Sequence, residues 1–193
     1  LGIHSIMLTG SAVNQDGRSS SLTAPNGPAQ QRVILSAMAR GANKPEAVDM
    51  MEMHGTGTGL GDPIEVGALR SVLSTLESDA RGNESITQLQ AAKSHVGHAE
   101  PAAGLVGLIL LVAKVSSSAS AHLVHLRELS THVQGMMKGL AGTGGPREPA
   151  WCGLHLPKVG GMREIARAGV SSFGYQGTNA HAQLVSGHTT CAA

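Results

Sequence analysis

The sequence is poor in aromatic residues and has no dominant charge. Trp151, Phe173 and Tyr175 are its only aromatic residues, so it lacks the stacking platforms that single-strand nucleic-acid binders use. Lysines and arginines total 14 against 13 aspartates and glutamates, a formal net charge of +1. This balance provides no basic field for a phosphate backbone. Nucleic acid is therefore not expected as a partner.

Cysteine, long apolar runs and targeting signals are also scarce. Cys152 and Cys191 are the only two cysteines, too few for a disulfide framework or a cysteine-rich zinc site. The apolar run from Ala102 to Ala113 is shorter than the roughly 18 residues of a membrane span, so it predicts a buried helix. No charged segment followed by an apolar core begins the chain, and we expect a cytoplasmic or organellar protein without a signal peptide.

Glycine, in contrast, is abundant, with 26 residues in a chain of 193. The hydrophobic pattern predicts two strand, loop and helix units. The first has a strand over Val48–His54 and a helix from Asp62 to about Leu76, and the second has a strand over Ile86–Lys93 and a helix over Pro101–Val115. Ligands of open α/β sheets bind outside the carboxyl ends of the strands. We therefore expect the residues after both strands to converge on one site.

The chain divides into four predicted segments. Residues 1–115 form the α/β core, which opens with a strand over Ile3–Leu8, a polar loop over Ser11–Gly27 and a helix over Pro28–Ala42. Residues 116–167 form an irregular excursion rich in glycine and proline. Residues 168–186 read as a closing β-hairpin of the same domain, and residues 187–193 as a tail.

The glycine-rich loop from His54 to Asp62 predicts close approach of a ligand to the backbone. Its glycine spacing does not fit a dinucleotide fingerprint, and Asp62 at a helix start repels an anion. An uncharged polar ligand fits better, because glycines remove Cβ obstruction and Thr56 and Thr58 offer hydroxyl groups. The alternative is a tight strand-to-helix turn in which the threonines bond local backbone.

A metal site is a possible interpretation of His95, His98 and Glu100. Two histidines three residues apart share a metal only if the local backbone brings them together, and no zincin signature follows. Solvated loop histidines are the simpler alternative, and no metal is expected.

A second interpretation combines His54 with His98. Two neutral imidazoles can donate hydrogen bonds to a thioester oxygen as negative charge builds on it, which stabilises an enolate. Lys93 can provide a positive charge near the histidines, and Glu65 can compensate that charge. Each histidine taken alone is more often structural.

No nucleophile is framed by its neighbours. Ser171, Ser172 and Thr178 lack the Gly-x-Ser-x-Gly elbow. Cys152 lies in an irregular stretch, where a cysteine usually serves as a buried packing residue. Cys191 lies near the end of the chain, where a disordered thiol is the ordinary expectation.

Four short motifs in a fixed order carry a more specific signal. They are Val13–Arg18 with Thr23–Pro28, His54–Thr58 with Gly61–Glu65, Lys93–Ser94 with Gly97–His98, and Gly169–Gly174 with Gly177–His181. In this order they resemble the β-ketoacyl synthases, and the first resembles the type I modular polyketide synthases in particular. The resemblance covers nearly the whole chain and is weakest over residues 116–161.

The resemblance implies a thiolase-like α/β fold, a mixed sheet flanked by helices, of which this chain is the C-terminal half. The family performs a decarboxylative Claisen condensation in polyketide or fatty acid biosynthesis. An acyl group is held on a cysteine, and malonyl on an acyl carrier protein loses carbon dioxide to give the attacking carbanion. The implied partners are the acyl carrier protein with its phosphopantetheine arm, the N-terminal half of the ketosynthase and a second copy of the complete domain. No cofactor is expected to bind this chain directly.

By position, His54 and His98 resemble the two catalytic histidines that bind the malonyl thioester oxygen. Lys93 resembles the active-site lysine, and Glu65 its charge partner.

Three further residues take roles from the same resemblance. Thr56 and Thr58 resemble the residues that hydrogen-bond the phosphopantetheine arm. Phe173 resembles the gating aromatic residue whose backbone amide completes the oxyanion hole.

The sequence also departs from the family. Its 193 residues contain no Asp-Thr-Ala-Cys-Ser type motif, so the chain by itself is not expected to form an acyl-enzyme. His95 stands where the family usually has asparagine. The missing motif leaves a second hypothesis open, a non-condensing subunit that only decarboxylates or only interacts with a complete ketosynthase. A metal hydrolase is the most distant alternative.

Overall fold

A computed structural model describes most of the sequence. The residues described are 3–18, 24–41, 48–77, 87–120, 123–124, 126, 128–138, 154–155, 161–162 and 164–189. The strands are β1 (Ile3–Gln15), β2 (Met50–Glu52), β3 (Thr87–Gln90), β4 (Ala119–Ser120), β5 (Leu154–His155), β6 (Gly161–Met162), β7 (Arg167–Phe173) and β8 (Thr178–Thr189). The helices are α1 (Gly27–Gly41), α2 (Gly61–Glu77), α3 (Lys93–Val96), α4 (Ala103–Ser117) and α5 (Thr131–Lys138).

One six-stranded mixed sheet organises the chain, in the order β1-β8-β7-β2-β3-β5. β8 pairs antiparallel with both β1 and β7, whereas β7, β2, β3 and β5 run parallel. The carboxyl ends of β2, β3 and β7 therefore lie at the same edge of the sheet. That edge is where the predicted site residues follow the strands.

Apolar side chains cover the sheet on both faces. Successive residues of a strand point to opposite faces, so Met50 and Met51 enter different clusters. Met51 packs with residues of α1 and α2 such as Ile34 and Leu69. Met50 packs with Leu111 of α4 and with apolar residues of β7 and β8. Two helical layers thus hold β2 in place from both sides.

The structure differs from the sequence prediction at three places. β1 continues to Gln15, past the loop predicted from residue 11, because residues 11–15 pair with β8. Helix α5 lies within the segment predicted to be irregular, since its Val133 is buried in the α1 and α2 cluster. β8 continues to Thr189 because it pairs with Ile3 at its end, so the predicted tail starts too early. Cys152 and Cys191 lie outside the described residues.

One stretch, Glu100–Ser117, is long and apolar enough to cross a membrane by length and composition alone, with a mean hydropathy of 1.5. It consists of a short 3-10 turn followed by α4, which packs against β7. One such helix is weak evidence for a membrane span, because core helices of other proteins have the same composition.

Candidate active site

The ends of β2 and β3 place two histidines side by side. His54 follows β2, and His98 follows α3, which begins three residues after β3. Their ring centroids are 5.7 Å apart, and the rings are nearly perpendicular at 83°. The amide of Glu100 donates to Nδ1 of His98 over 2.9 Å, so the neutral imidazole carries its proton on Nε2. His98 therefore presents a donor on the nitrogen that is not occupied by the backbone.

Phe173 brings a third element to this point. It ends β7, and its ring centroid lies 5.8 Å from that of His54.

The turn that follows Phe173 is tight, because the amide of Gly174 donates to the carbonyl of Thr178 over 2.6 Å. Gly177 has a φ of +87°, and a Cβ there would lie 3.1 Å from the Cβ of Asp16. Only glycine satisfies both constraints, so this turn requires it.

Glu65 anchors the start of the glycine-rich loop. Its Oε1 accepts a hydrogen bond from the amide of His54 over 2.7 Å, and its Oε2 accepts one from the amide of Gly55 over 2.9 Å. Burial raises the pKa of Glu65 to about 7, although these two amides and the charge of Lys93 oppose the rise. The contacts of this carboxylate are therefore with the backbone of the loop, and its influence on Lys93 is electrostatic.

The two threonines of the loop combine both functions considered from the sequence. Their hydroxyl oxygens lie 3.2 Å apart, and Thr58 Oγ1 accepts a hydrogen bond from the amide of Gly61 over 3.0 Å. Asp62, in the first turn of α2, accepts a hydrogen bond from the amide of Gly57 over 3.1 Å. Local bonding thus shapes the turn, and both Thr56 and Thr58 still line the cleft beside it.

A cleft of about 870 Å³ opens at this edge of the sheet. The predicted site residues that line it are His54, Thr56, Thr58, Glu65, His98 and Phe173. Lys93 is half-buried and is not among the lining residues. The structure therefore brings six of the seven predicted side chains to one cavity and leaves the lysine at electrostatic range.

Burial controls the charges in the cleft. It lowers the pKa of His54 to about 4, and electrostatic interactions with Lys93 and with the ring of His98 lower it further. The imidazole of His54 is therefore neutral at neutral pH. Burial also lowers the pKa of Lys93, while the nearby carboxylates of Glu65, Glu52 and Asp62 raise it. A neutral imidazole beside a cationic group suits the stabilisation of negative charge on a bound oxygen.

Asp16 and Asn179, which the sequence marked only as parts of motifs, also line the cleft. Asn179 Nδ2 donates to Asp16 Oδ1 over 2.7 Å and to Asn14 Oδ1 over 3.1 Å. The side chain of Asn26, just before α1, donates to the backbone carbonyl of Asp16 over 2.8 Å. These bonds join the end of β1 to the turn after Phe173. Periodicity gives no signal for such a network, because its members are far apart in the sequence.

The metal and nucleophile alternatives gain no geometric support. In the ranges the structure describes, no group of three histidines, cysteines or acidic residues is arranged to hold a metal ion. Ser171 is buried, and its hydroxyl lies 2.9 Å from Nδ1 of His181. Gln183 Nε2 lies 2.7 Å from the other ring nitrogen of His181, and this set of side chains is covered by the sheet and its helices. Neither observation points to a hydrolase.

Comparison with known proteins agrees with this geometry. The profile of the β-ketoacyl synthase C-terminal domain matches residues 6–127. The chain belongs to this family. It is 44% identical over 181 residues to polyketide synthase GfsB of Streptomyces halstedii and 42% identical over 178 residues to erythronolide synthase EryA2 of Saccharopolyspora erythraea. These matches cover 92% and 91% of the chain but only 3% and 4% of the two relatives.

Solved ketosynthase structures share the fold. The ketosynthase from module 6 of the bacillaene synthase of Bacillus subtilis 168 superposes with a TM-score of 0.77 at 28% identity, and the OzmH KS7 domain of Streptomyces albus JA3453 with 0.78 at 26% identity. In each case 94% of this chain is covered, and the chain spans 30% of the solved one. The family resemblance and the thiolase-like fold are therefore confirmed: this is a ketosynthase C-terminal domain of the polyketide synthase type.

Proposed function

We propose that this chain supplies the histidine-bearing part of an active site for decarboxylative Claisen condensation of malonyl units. The observation that carries the proposal is the pair of imidazoles from His54 and His98 at the edge of one cleft, with centroids 5.7 Å apart. Both histidines are expected to hold the thioester oxygen of the malonyl group. When the bond between the α-carbon and the carboxylate breaks, carbon dioxide leaves. The electron pair of that bond stays behind and forms an enolate, and the imidazoles stabilise the negative charge on its oxygen.

The carrier of the malonyl group is proposed to be the phosphopantetheine arm of an acyl carrier protein. The arm is uncharged beyond its phosphate and carries two amides, which suits a cleft lined by the hydroxyl groups of Thr56 and Thr58. The enolate carbon then attacks an acyl thioester, and the thiolate of the acyl-carrying cysteine leaves. That cysteine is proposed to belong to the N-terminal half of a ketosynthase, with the complete domain acting as a dimer.

A chimeric ketosynthase tests this function. The chain replaces the segment that it matches in erythronolide synthase EryA2, and the release of labelled carbon dioxide from malonyl carrier protein is measured together with the β-ketoacyl product. We expect both products, with a loss of about 10²-fold or more in each when His54 or His98 is changed to alanine. A folded chimera that releases carbon dioxide equally well with and without these histidines would contradict the proposal.

A second candidate is a subunit that decarboxylates or interacts without condensing, because the paired imidazoles of His54 and His98 are sufficient for decarboxylation alone. The 193-residue chain alone distinguishes the cases. Release of carbon dioxide that His98→Ala abolishes supports a decarboxylating subunit. No release by either protein, together with binding to a complete ketosynthase, supports a role in interaction only.

A further inference from the structure

Beneath the cleft lies a buried ion pair that the proposed reaction does not use. Glu52 of β2 and Lys114 of α4 are 1% and 8% exposed. Lys114 Nζ donates to Glu52 Oε2 over 3.0 Å and to Gln90 Oε1 over 3.3 Å. A buried charge pair is costly to desolvate, and an apolar pair of similar volume is often as stable. The pair therefore calls for an explanation other than stability.

The second oxygen of Glu52 reaches the segment that carries Lys93. Glu52 Oε1 accepts a hydrogen bond from the amide of Ala92. Ala92 is the residue that caps α3, and its own side chain makes no capping bond. The carboxylate of Glu52 instead binds the backbone at the start of α3 from strand β2. Because His54 lies two residues after Glu52, one side chain joins the two segments on which the site is built.

Neighbouring residues are shaped around this carboxylate. A Cβ at Gly107 of α4 would lie 3.3 Å from the Cγ of Glu52 and 3.4 Å from a methyl group of Val170. The amide of Met53 donates to the carbonyl of Gln90 over 2.8 Å, which continues the contact between β2 and β3 up to the site. The glycine thus leaves room for the carboxylate between α4 and the sheet.

We propose that Glu52 and Lys114 are positioning residues of the site. Lys114 holds the Glu52 carboxylate against the amide of Ala92, and this contact sets the start of α3, and with it Lys93, relative to His54. The proposal rests on the proposed function for its effect on the reaction, but the coupling between the pair and Lys93 stands on geometry alone.

Electrostatics supports the same connection. The acidic groups near Lys93 are Glu65 and Asp62 of α2 and Glu52 of β2, and the neutral imidazole of His54, whose pKa Lys93 lowers, lies near it as well. The negative charge of Glu52 raises the pKa of Lys93. Lys114 is not among the groups whose charge shifts the pKa of Lys93, so removing the Glu52–Lys114 pair is expected to make Lys93 lose its proton at lower pH.

The test uses the double variant Glu52→Gln/Lys114→Met, which removes both charges without leaving either one buried alone. Glutamine matches glutamate in size, but without the ammonium group of Lys114 it is no longer held against the amide of Ala92. Lysine amines of the full 193-residue chain are dimethylated with ¹³C, and the signal of Lys93, assigned with Lys93→Arg, is titrated by NMR. In parallel, carbon dioxide release from malonyl-pantetheine is measured in the EryA2 chimera. Arg32→Met, which removes an exposed charge of α1, is the control.

In the folded double variant we expect Lys93 to titrate at lower pH and kcat to fall about tenfold or more, with KM changed by less than about twofold. The control leaves both readouts as in the unmodified chain. An unchanged Lys93 titration overturns the proposal, as does an unchanged kcat. If the unmodified chimera releases no carbon dioxide, the proposed function fails and the Lys93 titration alone decides. The single variant Glu52→Gln, which leaves Lys114 its bond to Gln90, carries the same titration test if the double variant does not fold.

Discussion

At the scale of single residues, the site depends on buried polar groups whose environment sets their charge. Burial is the largest cause of the pKa shifts of His54, Glu65 and Lys93. Their identities were visible in the sequence, but their charges were not, because burial is a property of the fold. Glu65 shows this most clearly, since the sequence suggested a partner for Lys93 and the structure shows a carboxylate bound to two amides.

We predict a pH-dependent stability contribution from Glu65. An acid whose pKa is raised binds an extra proton in the folded state, so its contribution is fully present below about pH 4.5 and is lost as the pH rises through about 7. The change is on the order of 3 kcal/mol in the free energy of unfolding. Urea unfolding of the chain and of Glu65→Gln, compared from pH 4 upward, measures it as a difference. The exposed Glu128→Gln is the control, and a pH-independent difference would refute the prediction.

We also predict that His54 titrates far below the ordinary value for histidine. Its midpoint in an NMR titration is expected at about 4. Lys93→Met removes one positive charge, so the midpoint moves part of the way back toward 6.5 while burial keeps it low. The exposed Arg18→Met does not move it. A midpoint near 6.5 in the unmodified chain would contradict the burial of this ring.

At the scale of elements, strands and helices were easier to predict than the contacts between them. The apolar run of β2 and the helical spacing of α1, α2 and α4 identify these elements, because side-chain periodicity depends only on local geometry. The full length of β1 was missed because residues 11–15 mix polar with apolar side chains and form a strand only by pairing with β8. Helix α5 was missed because the sequence around it is rich in glycine and because the helix is fixed by the burial of a single valine, Val133.

The turn between β7 and β8 yields a prediction at this scale. Gly177→Ala forces a side chain into a backbone with φ of +87° and against Asp16, so we expect a loss of about 1–3 kcal/mol in the free energy of unfolding. Chemical denaturation measures the loss. Gly135→Ala is the matched control, because it lies on α5 with open space around it and alanine favours a helix. Equal effects of the two substitutions would contradict the argument.

At the scale of the whole molecule, several large apolar side chains are exposed in the part of the chain that the structure describes. Leu105 and Ile109, one turn apart on α4, are each 64% exposed. Met7 and Leu8 on β1, an end strand of the sheet, are more than half exposed and point to opposite faces of the sheet. Exposed apolar residues grouped as on α4, or lying on an end strand, mark surfaces that another chain or segment covers. The proposed N-terminal half of a ketosynthase is one such cover.

We therefore predict that the chain on its own self-associates. Light scattering is expected to give a mass above the 19.7 kDa of one copy. Leu105→Ser/Ile109→Ser shifts the distribution toward the monomer, because it removes apolar area from α4. Leu126→Ser, a substitution at an exposed leucine outside α4, leaves the distribution unchanged. A monodisperse monomer of the unmodified chain would contradict the prediction.

The sequence by itself determined the family, the order of the main elements and the identity of the side chains around the cleft. Motifs in a fixed order carry this information because each consists of nearby residues and can be recognised without knowing its tertiary contacts. The tertiary structure decided which contacts these residues make. Examples are the hydrogen bonds of Glu65 with two backbone amides and the hydrogen bond between Asn179 and Asp16. It also decided that Glu52 and Lys114 meet beneath the site, although 61 residues separate them in the sequence. Such pairs depend on how two layers pack on one sheet, and no local pattern encodes that packing.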